Sequence, residues 1–93
     1  MSRDASSVLA ARAAFTRADR AADEASRELN RLKALLREAR SDGDAERIRR
    51  IQGQFSAARE IFNQAARRNT LARRRLNESE AISRTLREID ETA

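Results

Sequence analysis

Carboxylates and guanidinium groups are nearly all that this chain offers for chemistry. Its 93 residues include no His, Cys, Tyr or Trp, the types from which acid–base and nucleophilic machinery is mostly built. A Gly-rich loop that could cradle a phosphate is missing as well. Asp42 and Asp44 flank Gly43, but an EF-hand calcium loop needs about five protein oxygen ligands over about twelve residues and a distal Glu. Two caps around a turn account for these acids more simply. Glu24 and Glu28 are spaced i, i+4, yet the di-metal sites of helical bundles also require Glu-x-x-His. The expectation is a protein that is not an enzyme, with no catalytic residues, no metal site and no cofactor.

What remains is surface chemistry. Nineteen of the twenty basic residues are Arg, and they are unevenly placed. Residues 1–46 balance nine basic against nine acidic residues, whereas residues 47–77 carry nine Arg against the single Glu60. Residues 78–93 reverse the sign, with Glu78, Glu80, Glu88, Asp90 and Glu91 against Arg84 and Arg87. Arg67, Arg68, Arg73, Arg74 and Arg75 form the densest part of the basic band, and Arg47, Arg49, Arg50 and Arg59 extend it. Such a band suits phosphates or an acidic protein, and it is also how a solvated helix face commonly looks. The neutral first half, the acidic end and the lack of aromatics for base stacking weigh against nucleic acid.

These side chains must be carried on helices. The chain has no Pro, two Gly and three aromatics (Phe15, Phe55 and Phe62) in a background of Ala, Arg, Glu and Leu, which favours helix over sheet. Val8, Ala11, Phe15, Ala18, Ala22, Ala25, Leu29, Leu32, Leu36 and Ala39 recur at steps alternating between three and four. That is an unbroken a/d seam, predicting a first helix over about 4–40. A second seam runs through Ile48, Ile51, Phe55, Ala58, Phe62, Ala65, Asn69, Ala72 and Leu76, predicting a second helix over about 45–91. Extending the first heptad across the middle would put Gly43, Arg50 and Gln64 on the seam, so one continuous rod is disfavoured. The phase break coincides with Ser41, Asp42, Gly43 and Asp44, residues suited to ending one helix and capping the next. The fold expected is all-α: a single domain over 1–93, a long antiparallel helical hairpin or two-helix coiled coil, with its turn at 41–44.

Folding back at this turn pairs residues whose numbers sum to about 87: Leu36 with Ile51, Leu32 with Phe55, Ala25 with Phe62, Ala11 with Leu76. Large residues then meet small ones, as interdigitation requires. Arg12 comes within reach of Glu80, and Asp19 of Arg73. Asn69 is the polar residue inside the second seam, where it either fixes register or faces water. Leu35, Ile61, Ile82 and Ile89 occupy g positions and widen the apolar stripe beyond one partner helix. Past Ser79 the seam is expected to shift face to Ile82, Leu86 and Ile89, where the first helix has run out.

Short stretches resemble known helical families. The run Asp44, Ile48, Ile51, Gln52, Phe55, Ser56 is similar to the second helix of type III secretion needle and inner-rod subunits. Gly43, Asp44 and Ala45 at mid-chain resemble the helix–turn–helix plan of small WXG-type secreted proteins. The Pro-flanked turn of the one and the Trp of the other are absent, and each likeness covers a few positions of a generic amphipathic helix. No family is assigned on them.

The function expected is protein–protein interaction, as an adaptor, small chaperone or assembly or secretion-system subunit. It would act by coiled-coil self-association, a homodimer forming a four-helix bundle, or by docking on a partner's helices. The apolar contacts are assigned to Leu35, Ile61, Ile82, Leu86 and Ile89. The alternative is an RNA- or DNA-binding hairpin using the Arg-rich face of its second helix. No small-molecule substrate is implied. No apolar run approaches a membrane span or signal sequence, so a cytoplasmic location is expected, with signal-less export open.

Overall fold

The computed structural model describes residues 3–92, with side-chain surroundings from Ser7 to Thr92. Residues 1, 2 and 93 of the expected 1–93 unit lie outside the described residues. Two α-helices make up the structure: α1 (Arg3–Asp42) and α2 (Ala45–Thr92). They pack side by side in a rod of 73 × 17 × 15 Å. At about 1.5 Å per residue, the 48 residues of α2 span about 72 Å and the 40 residues of α1 about 60 Å. The longer helix sets the length of the rod, and among the described residues its last turns extend past the start of α1.

The turn is tighter than the 41–44 loop read from sequence, because α1 continues through Asp42. Gly43 follows it with φ +69°, the left-handed conformation that an L side chain adopts only at a cost. Gly43 N donates to Arg40 O and Asp44 N to Ala39 O, both at 3.2 Å, which together form a Schellman motif that satisfies two of the last carbonyls of α1. Asp44 then caps α2: its Oδ1 accepts from Arg47 N at 3.1 Å. The Arg47 guanidinium reaches back to Asp42 at 3.3 Å and Glu38 at 3.6 Å, tying the two helix ends together. Arg47, expected to extend the basic band, belongs to the turn instead.

All ten seam positions of α1 and all nine of α2 are buried or half-buried. The tightest packing lies next to the turn, where Leu32 (1% exposed), Ala39 (0%), Ile51 and Ala58 form a cluster bordered by Leu29, Leu36, Ile48 and Phe55. These residues are the pairs that the sum of about 87 brings together. The expected shift of face beyond Ser79 does not occur. Ser79 and Ser83 continue the packed spacing as half-buried residues, while Ile82 stays outside. Spacing from the packed Leu76 therefore outweighs the polarity of the two serines.

Candidate interaction surfaces

The five residues assigned to an apolar contact do not form one patch. Leu35 is half-buried against the Leu32–Ile51 cluster, so it belongs to the hairpin's own core and not to a free stripe. Ile61 is 61% exposed, but Arg68 and Arg75 occupy the next two g positions of α2 and separate it from Ile82 by 21 residues, about 31 Å of helix. The structure does bring Ile82, Leu86 and Ile89 together: at spacings of four and three they follow one face of α2, exposed by 58%, 39% and 56%. By the pairing rule, α1 ends opposite residue 84, so most of this strip projects beyond the reach of α1.

Two exposed apolar residues were missed from sequence. Leu9 and Leu71 lie off the seams and are both exposed, and the same heptad count would have found them. Leu71 sits in a shallow depression on α2 beside Ala66 and Thr70, with Arg67 and Arg74 on either side. A second groove opens between the helices, lined by Ala10, Ala14, Ala72 and Ser79 together with Arg75, Glu78 and Ile82. The groove exists because Ala side chains leave space that larger residues would fill.

Arg67, Arg68, Arg73, Arg74 and Arg75 are all exposed, and among the described residues none lies within ion-pair distance of a carboxylate. Their charge is uncompensated within the hairpin. Arg12 does pair with Glu80, at 3.5 Å, as expected. Asp19 does not take Arg73: its Oδ1 accepts from Asn69 Nδ2 at 3.2 Å. Asn69 is thus half-buried on the seam and bonded to the opposite helix, which ties α1 and α2 in one register.

Glu28 holds Arg31 one turn away through two bonds, Arg31 Nε to Oε2 at 3.0 Å and Nη2 to Oε1 at 2.6 Å. The hydrogen bond and the adjacent positive charge lower the Glu28 carboxyl below its usual 4.5, and the same pairing raises Arg31. Glu28 is therefore occupied by a neighbouring cation. Among the described residues no group of three His, Cys, Asp or Glu side chains is placed to hold a metal ion. No described helix is long and apolar enough to cross a membrane.

No protein-family model matches the chain, and neither the curated proteins nor the solved structures give a match.

Proposed function

We propose that the hairpin is a non-enzymatic interaction module that acts through its own coiled-coil self-association and by binding partner helices. One observation carries this reading: Ile82, Leu86 and Ile89 form an exposed apolar strip on a helix that outruns its intramolecular partner. Single exposed apolar residues are ordinary, but three on one helix face at i, i+4 and i+7 make the pattern by which helices dock. Adaptor, small chaperone and assembly-subunit roles all use such a surface. Light scattering across a micromolar concentration series tests the reading, and a mass above the monomer is expected. A folded monomer throughout, together with unchanged partner capture by Leu86→Asp, would contradict it.

The uncompensated guanidinium groups support a second reading, a nucleic-acid-binding hairpin in which Arg67, Arg68, Arg73, Arg74 and Arg75 contact phosphates. Affinity for RNA or DNA would then fall steeply with salt, since each phosphate contact releases counterions. Binding that is flat from ~50 to ~300 mM salt, or absent, removes this reading.

A further inference from the structure

We infer that the occupant of the exposed strip is a second copy of this chain, laid antiparallel along α2 with the two-fold axis passing beside Ile82. The inference rests on the interaction reading above and adds its geometry. Charge sets the direction. The Arg73–Arg75 run lies on α2 just before the strip, and Glu88, Asp90 and Glu91 lie at its end. A parallel pairing would put Arg run against Arg run and acid against acid. An antiparallel pairing centred on Ile82 makes the numbers of facing residues sum to about 164, so residues 73–76 face 88–91 of the second copy. Like charges facing one another are penalised and opposite charges favoured, which selects the antiparallel arrangement.

The same register serves the apolar residues. Ile82 meets Ile82 on the axis. Ile89 of the second copy falls opposite Arg75, over the Ala10, Ala14, Ala72 and Ser79 groove that Arg75 borders. Leu86 falls between Glu78 and Ser79, which both line the same groove. Beside the axis Ala81 falls opposite Ser83, both small enough to allow close approach, and Arg74 falls opposite Asp90. Ile82 thus packs on its own copy, Leu86 and Ile89 settle along the groove, and the basic run whose charge the hairpin leaves open meets the acidic end. The contact is self-complementary and closes as a dimer without forming a filament. It also gives the overhang of α2 a role: the part that outruns its own α1 lies over the groove of the other copy.

Charge reversal in trans tests this geometry without touching the core. Arg74 and Arg75 are exposed, as are Glu88 and Asp90. Arg74→Glu/Arg75→Glu and Glu88→Arg/Asp90→Arg should each weaken the dimer by at least ~10-fold, about 1.4 kcal/mol. In the mixed dimer the reversed run lies against the reversed end and the native run against the native end, so mixing the two should restore affinity to near wild type. Ile82→Glu, which places a charge on the axis in both copies, should weaken the dimer by ~100-fold or more. Circular dichroism checks that each variant stays helical; if Ile82→Glu does not fold, the charge-swap pair still decides. Recovery on mixing supports the antiparallel dimer. A wild-type dimer with no loss in the single variants, or no recovery on mixing, overturns this geometry and leaves self-association standing. A wild-type monomer at all concentrations overturns both.

Discussion

The two ends of the hairpin are built from the same repeat and reach opposite outcomes. Near the turn, large residues on one helix meet small ones on the other, and Leu32 and Ala39 are almost wholly enclosed. Near the free end, the packed positions of α2 become Ser79 and Ser83, and the large residues Ile82 and Ile89 lie outside. The near end has a Schellman turn, an Asp44 cap and the Arg47 clamp. At the far end the described residues hold the exposed ion pair Arg12–Glu80, of a kind worth under ~1 kcal/mol. A two-helix rod has room for only a thin core, and here that core is concentrated where chain reversal makes pairing entropically easiest. The apolar residues of the other end are left exposed on the hairpin.

The largest break of this asymmetry comes from Leu32→Ala, which removes the most enclosed large side chain and should cost ~2–5 kcal/mol. In a rod this thin, such a loss should abolish cooperative thermal unfolding. Leu86→Ala at the other end should cost the isolated hairpin less, about 1 kcal/mol, since Leu86 keeps 39% of its surface exposed there. Equal losses in the two variants, measured in dilute solution, would remove the contrast.

The two glycines separate next. Nothing within 4 Å would obstruct a Cβ at Gly43 or Gly53, so only backbone conformation distinguishes them. Gly43→Ala places an L side chain at φ +69° and should destabilise by ~1–2 kcal/mol. Gly53→Ala lies in the regular interior of α2 and should stabilise by ~1 kcal/mol. Opposite signs in chemical denaturation are the expected result.

Smaller still is the tie between the ends. Asp19→Ala and Asn69→Ala each remove the same 3.2 Å bond, so each should cost ~0.5–1.5 kcal/mol and the double variant less than their sum. Strict additivity would show that Asn69 does not act through Asp19. The smallest effect is the pH response of Glu28. Its folded-state value is lowered, so its contribution is present above the usual 4.5 and is lost as pH falls through the lowered value. Glu28→Gln should flatten the acid limb of the stability profile by lowering its neutral side slightly and leaving acid pH nearly unchanged.

The hairpin was legible because the α1 seam runs for ten positions without an exception and breaks phase at Gly43, and spacing of that regularity leaves little choice of packed face. Less could be read where one side chain's reach decided the outcome. Asp19 was paired with Arg73 by charge alone, yet Asn69 lies closer to its level on the opposite helix, and the shorter Asn on the seam takes it. Arg47 looked like one more member of a basic run, and only the Schellman geometry brings Glu38 and Asp42 to it. Leu35 and Ile61 share a heptad letter, yet Leu35 lies beside the turn cluster and Ile61 beside the open flank. The g label records direction around a helix but not how much neighbouring bulk covers it. The family likenesses added nothing further, since amphipathic spacing alone accounts for the residues they share.

Hydrogen exchange followed over a wide dilution series tests most directly whether a second copy covers the far end. Amides around Leu32 and Ile51 should exchange slowly at every concentration, while those from Ile82 to Asp90 should slow markedly as concentration rises. Exchange over 82–90 that stays equally fast in dilute and concentrated protein would contradict the proposed contact.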